Sequence, residues 1–232
     1  MTALCVITAR GGSKRIPRKN IRDFLGKPII AYSIEAALES SLFDEVMVST
    51  DDDEIADVAL KYGASVPFMR SSETSDDFAP TADVLLEVLE GYGNGGREFG
   101  MLCCIYPTAP FVTAAKLREA ARLLEDADCV LAVERFSFPP QRGMVSDGDG
   151  LVWWQPENEL ARSQDLEPVY HDAGQFYFRD VPSFLSTGKL VTGSVHGYEI
   201  PETEAQDIDN ESDWLMAEMK YERMAAREQN AG

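Results

Sequence analysis

Five short apolar runs recur along the first 133 residues, at positions 3–9, 45–49, 65–69, 101–105 and 129–133. Within them apolar side chains follow one another rather than alternating with polar ones, which predicts strands covered on both faces. Between the runs, apolar positions return every three or four residues. That spacing predicts helices over 29–38, 54–62, 81–92 and 113–126. Asp51, Asp52 and Asp53 stand where the second of these helices needs an acceptor for its first N–H groups, and Gly63 stands where it must stop. Strand–helix alternation of this kind predicts an α/β fold, a doubly wound and mostly parallel sheet with helices on both faces. Ligands of such sheets sit outside the carboxyl ends of the strands.

After Val133 the rhythm changes. Residues 136–150 are rich in Pro and Gly, and Leu151-Val-Trp-Trp-Gln155 suggests short antiparallel strands, so a hairpin-like β insertion is expected at about 136–172. Beyond it the pattern predicts a core strand at 175–178, a short helix at 181–186, a strand at 197–200 and a last helix from 211 to about 227, with fraying after that. No repeat or low-complexity linker divides the chain, and residues 1–232 read as a single domain with that insertion.

Charge adds a second layer. The chain has 40 Asp and Glu against 21 Lys and Arg, a net charge of −19, which argues against nucleic acid or an anionic membrane as partner. No run reaches the roughly 18 apolar residues of a membrane span, and the apolar start is too short for a secretory leader, so a cytoplasmic protein is expected. Cys5, Cys103, Cys104 and Cys129 all fall in apolar strand-like runs without C-x-x-C spacing and are expected as reduced core thiols.

Against that acidic background, Arg10-Gly-Gly-Ser-Lys-Arg-Ile-Pro-Arg-Lys-Asn20 follows the first strand. Its two glycines permit a tight turn with exposed N–H groups, and its cations offer themselves to a small polyanion. Neither G-x-x-x-x-G-K-[ST] nor G-x-G-x-x-G is present, which disfavours a P-loop ATPase or a nicotinamide dehydrogenase. Cations laid along a triphosphate whose pyrophosphate gains charge as it leaves suit a nucleotidyltransferase instead. Far along the chain, Asp207 and Asp209 lie at i and i+2 of a stretch that, if extended, turns both carboxylates the same way, toward one hard cation. The competing reading is that Asp209 or Asn210 caps the last helix.

These segments, with Val48-Ser-Thr-Asp51, Pro107-Thr-Ala-Pro110 and Gln206-Asp-Ile-Asp209 in the same order, resemble the CMP-nonulosonic acid synthetases, the acylneuraminate cytidylyltransferase family. Arg162-Ser-Gln-Asp-Leu-Glu-Pro168 and Tyr170-His-Asp-Ala-Gly-Gln-Phe-Tyr177 resemble the members that act on pseudaminic acid. The resemblance implies a Rossmann-like nucleotide-diphospho-sugar transferase fold, transfer of CMP from CTP to an acidic nine-carbon sugar, help from Mg²⁺, and a homodimer built through the insertion, where Phe136, Phe138, Trp153 and Trp154 would suit an interface. By position it implies Arg10, Lys14 and Lys19 as catalytic cations, Gly11, Gly12, Ser13, Asn20 and Arg70 as nucleotide-binding residues, and Asp207 and Asp209 as metal ligands. The sugar would meet Tyr106, Gln141, Arg142, Arg162, His171 and Gln175. Tyr106 departs from the sialic acid enzymes, which resemble one another in having Gln there, and this favours a sugar other than N-acetylneuraminate. Another acidic sugar, or a silent nucleotide-binding relative, are the rival readings.

Overall fold

The computed structural model describes residues 2–76 and 78–231, with side chains described through residue 227, so the fraying expected beyond Arg227 lies outside the described side chains. The chain runs through β1 (Ala3–Thr8), a two-residue ribbon of β2 (Asp23–Phe24) and β3 (Lys27–Pro28), α1 (Ile29–Ser40), β4 (Glu45–Ser49) and α2 (Asp53–Lys61). Then come α3 (Thr81–Asn94), β5 (Met101–Ile105), α4 (Ala114–Leu123) and β6 (Cys129–Arg135). A hairpin of β7 (Met144–Asp147) and β8 (Gly150–Trp153) leads to β9 (Tyr170–Asp180), α5 (Val181–Thr187), β10 (Val195–Glu199) and α6 (Glu211–Ala231).

The central sheet has six strands in the order β10-β6-β9-β5-β1-β4. β1 runs parallel to β4 and β5, and β10 parallel to β6, whereas β9 is antiparallel to both of its neighbours. The doubly wound, mostly parallel sheet is therefore the one expected. Successive residues of each strand feed opposite layers. Cys5, Ile7, Val48, Cys103 and Ile105 pack under α1, α2 and α4, while Leu4, Val6, Met47, Leu102 and Cys104 pack under α3 and α5. All four cysteines are buried free thiols, and Cys103 and Cys104 go to opposite layers.

Two expectations need correction. The run 65–69 contributes one parallel bridge, between Met47 and Ser65, rather than a strand. Pro67 has no N–H to continue a ladder, and Phe68 turns instead onto α3, so close to Gly91 that a Cβ there would lie 2.7 Å from its ring. The core strand expected at 175–178 is an eleven-residue antiparallel strand, because the insertion returns the chain to the sheet from the far side. The insertion itself is as expected, a short exposed hairpin carried by β7 and β8.

A third, smaller core lies beside the sheet. Ile16, Phe24, Ile29, Tyr32, Ile208 and Trp214 close on one another there, with Arg22 over the Trp214 ring at 4.5 Å. It joins residues nearly 200 positions apart. By burying Ile16 and Ile208 together, it brings the basic loop to the acidic stretch.

Candidate active site

The loop after β1 is held by the end of the neighbouring strand. The Gly11 N–H donates to Asp51 Oδ1 at 2.9 Å. A Cβ on Gly11 would lie 2.5 Å from Asp52 Oδ2, so this position needs glycine for close approach. Asp52 is the cap of α2, accepting from the N–H groups of Glu54 and Ile55 at 3.0 and 3.1 Å. It also receives both terminal nitrogens of Arg18, and the Arg18 hydrogen bond, opposed by burial, holds its carboxyl below the ordinary range. Arg18 sits at φ 56°, which marks the turn into the short 3-10 segment Lys19–Ile21. One cation of the loop is thus committed to the scaffold.

Arg10 and Lys19 face a cleft of about 350 Å³ at the carboxyl ends of β1 and β5, where they form the walls with Ser13, Asn20 and Arg70. This is the point at which the strand order reverses, since β4 lies on one side of β1 and β5 on the other. Asn20 is buried, and its amide donates to the Arg10 carbonyl at 2.9 Å, fixing the turn. Arg70 is 9% exposed and donates to the Ser49 hydroxyl at 3.0 Å and carbonyl at 2.5 Å. Burial lowers its pKa against the opposing charges of Asp51 and Glu87. Gly11, Gly12 and Lys14 lie outside the cleft walls, Gly12 and Lys14 as exposed residues near the start of the loop.

Thr74, Asp76 and Thr81 also line the cleft, and no motif singled them out. Thr74 and Asp76 belong to the polar segment after Arg70 and Thr81 opens α3; Glu87 ties that segment down by accepting from the Ser71 N–H at 2.7 Å and its hydroxyl at 2.9 Å. Arg10 Nη1 donates to the Asp76 carbonyl at 3.2 Å and closes that segment over the cleft. Only a polar stretch between two predicted elements could have signalled them.

From the cleft wall, Lys19 Nζ donates to the Ile208 carbonyl at 2.6 Å. Burial lowers the Lys19 pKa, and the charges of Asp209 and Asp207 oppose that fall. Residues 205–209 form neither helix nor strand, with Ile208 buried between exposed Asp207 and half-buried Asp209. Asp209 Oδ1 receives Arg15 at 2.7 Å. Capping of α6 falls to Asn210, whose side chain accepts from the N–H groups of Ser212 and Asp213 at 2.9 and 3.2 Å. Asp213 in return accepts from the Asp209 N–H at 2.9 Å. Both carboxylates are therefore spare of helix duty, and as hard oxygen donors two positions apart, both acting on the Lys19 ammonium, they fit a hard divalent cation.

Tyr106, at the end of β5, also walls the cleft. Its hydroxyl lies 3.4 Å from that of Thr81, and its ring meets Tyr177 at 5.4 Å. Tyr177 donates to Asp172 Oδ2 at 2.6 Å. Burial pushes the pKa of both phenols up, so both stay protonated donors.

The remaining residues expected to meet a sugar do not reach these walls. Gln141 donates to the Glu167 carbonyl at 2.8 Å, Arg142 reaches the Ser163 hydroxyl at 3.5 Å, and Arg162 pairs with Asp165 at 2.7 Å, all within the insertion. His171 lies tilted against Phe136 with ring centroids 4.7 Å apart, its Nε2 3.9 Å from Glu134. Gln175 is 2% exposed, and its amide nitrogen donates to the Glu204 carbonyl at 2.7 Å while its Oε1 is buried without a hydrogen-bond partner.

Residues 4–196 match the family model described as cytidylyltransferase. Over 224 residues the chain is 41% identical to the pseudaminic acid cytidylyltransferase of Campylobacter jejuni, covering 95% of this chain and 97% of that one. It is 34% identical to the CMP-N,N'-diacetyllegionaminic acid synthase of Legionella pneumophila, covering 96% and 97%. Among solved structures, a CMP:2-keto-3-deoxy-manno-octonic acid synthetase complexed with CTP superposes with a TM-score of 0.68 over 96% of this chain and 100% of that one, at 18% identity, a likeness of fold.

Proposed function

Because the chain belongs to the cytidylyltransferase family, we propose that its cleft binds CTP and transfers CMP to the anomeric hydroxyl of a nonulosonic acid, pseudaminic acid first among candidates. The hydroxyl oxygen forms a new bond to the α-phosphorus, the bond between that phosphorus and the bridging oxygen to the β-phosphate breaks, and pyrophosphate leaves. The hydroxyl proton is lost to solvent or to a base of the site. The observation that supports this reading is the 2.6 Å contact of Lys19, a residue of the cleft wall, with the Ile208 carbonyl, which joins the cationic loop to the acidic stretch. Arg10, Lys19 and Arg70 then stand where a triphosphate lies, and a fixed ammonium opposite the leaving group stabilises charge as it develops.

Asp207 and Asp209 are the residues that would hold Mg²⁺, which when bound supplies charge neutralisation and polarisation at the α-phosphate. Arg15, now on Asp209, is the competing cation. Tyr106, with Tyr177 behind it, is the part of the wall suited to read the acceptor. The arginines of the insertion suit the sugar carboxylate through a second copy of the chain, since each is engaged within its own hairpin and away from the cleft. Exposed Phe138, Leu151 and Trp154 support a homodimer through that face, and light scattering that returns a monomer at working concentration would end that idea. No helix of the described residues is long and apolar enough to cross a membrane, and four free thiols suit a cytoplasmic setting.

The test is a product assay by mass spectrometry with CTP, Mg²⁺ and a panel holding pseudaminic, legionaminic and N-acetylneuraminic acids and an eight-carbon ulosonate. A CMP adduct of pseudaminic acid is expected. An adduct of another acid alone would move the acceptor, and CTP binding without pyrophosphate release from any would make the protein a nucleotide-binding relative.

A further inference from the structure

Residues 205–209 belong to no helix or strand, so their backbone groups have no ladder to satisfy them. Side chains from three other elements hold the start of this stretch, at Glu204 and Ala205. Gln175 of β9 donates to the Glu204 carbonyl at 2.7 Å, and Lys220 of α6 to the Ala205 carbonyl at 2.6 Å. Lys116 of α4 pairs with the Glu204 carboxylate at 2.8 Å while donating to the Phe111 carbonyl at 2.7 Å. The two side chains of that pair are only 12% and 19% exposed. Loss of either partner leaves a largely buried charge unmatched, so the contact fixes position more firmly than a surface pair does.

These contacts act on one end of the acidic stretch, and Lys19 and Asp213 hold the other. A short segment anchored at both ends has little freedom to shift, and its placement decides where the carboxylates of Asp207 and Asp209 lie. Lys116 also ties that segment to the loop after β5, through the Phe111 carbonyl, so the two are set by one ammonium.

We propose that Lys116, Gln175 and Lys220 are positioning residues, which hold residues 204–205 so that Asp207 and Asp209 present a preformed pair of ligands to a divalent cation. The proposal rests on the reading of those two aspartates as metal ligands, and its test separates the two. Binding of Mn²⁺ to the full chain is followed by EPR of the free ion, for the wild type, an Asp207→Asn/Asp209→Asn control, and the variants Lys116→Met, Lys220→Met and Lys220→Arg.

The wild type is expected to bind Mn²⁺ more tightly than the control. Lys116→Met and Lys220→Met are expected to weaken binding by about tenfold, as loss of groups that orient metal ligands does. Lys220→Arg should restore it. In turnover the same two variants should need more Mg²⁺ for half-maximal rate while reaching a kcat near that of the wild type when Mg²⁺ saturates, a split that general destabilisation does not produce. Wild-type affinity in Lys220→Met overturns the proposal even if Lys116→Met fails to fold, because Lys220 lies on the outer helix. Equal Mn²⁺ binding by wild type and control would instead remove the metal reading, and the proposal with it.

Discussion

The basic loop at 10–20 and the inserted hairpin around β7 and β8 carry similar residues and are held in opposite ways. In the loop, Arg18 is fixed by Asp52, Lys19 by the Ile208 carbonyl and Arg15 by Asp209, partners 34 to 194 positions away. In the insertion, Arg162 is held by Asp165, Arg142 by Ser163 and Gln141 by Glu167, all from the same excursion. The loop has its own small core around Ile16, whereas Phe138 and Leu160 of the insertion are 86% and 92% exposed. On the reading proposed above, the nucleotide half of the site is therefore built in advance from distant partners, while the acceptor side rests on local contacts in the insertion and on whatever comes to cover the hairpin.

That contrast can be broken most directly at Lys19. Lys19→Ala should lower kcat by about two orders of magnitude or more, as for loss of one charge stabiliser in the transition state, with the thermal midpoint little changed. An unaltered kcat would take the loop out of the reaction. Next comes Gly11→Ala, whose new Cβ meets Asp52. Overpacking against a side chain already fixed as a cap should cost about 1–3 kcal/mol in urea unfolding. A neutral outcome would mean that the loop is as loosely seated as the hairpin.

A gentler probe is Asp52→Asn, which keeps the cap and removes the charge. Arg18 holds the folded Asp52 carboxyl below its unfolded value, so its ionic contribution is present above the unfolded carboxyl range and is lost as pH falls through the folded one. The wild type should lose more stability than Asp52→Asn between about pH 5 and pH 2, by under about 1 kcal/mol for a partly exposed pair. Parallel curves would show that the pair does not hold the loop. Smallest of all is Arg162→Ala: its ion pair spans three positions on the surface, and the urea midpoint should not move. The sugar KM should rise while the CTP KM stays, and a rise in both would place Arg162 with the nucleotide half.

Much of this arrangement could be read from residue order. Four of the five apolar runs became sheet strands and the strands expected at 175–178 and 197–200 supplied the other two, and the meeting of Lys19 with the Asp207–Asp209 stretch follows from Ile16 and Ile208, two isolated apolar residues in polar segments that need a common place to be buried. The direction of β9 could not be read, because a strand covered on both faces looks alike run either way, and direction is set by the connection that leads into it. Gln175 misled for a related reason. A lone amide in an apolar strand near a predicted pocket reads as a substrate contact, and only tertiary structure supplies Glu204 as its partner. The run at 65–69 looked like a strand by hydrophobicity, and Pro67 limited it to one bridge.

The antiparallel strand also sets the order in which the protein can be made. β4, β1 and β5 can pair as soon as residue 105 is available, yet β6 and β10 reach that half of the sheet only through β9. As the chain emerges from the ribosome, β6 at 129–135 must wait for residues 170–180 before it has a neighbour, with the whole insertion synthesised in between. A nascent chain of about 135 to 170 residues therefore exposes an apolar strand with both edges open, the state in which such a chain is most prone to pair with the wrong partner.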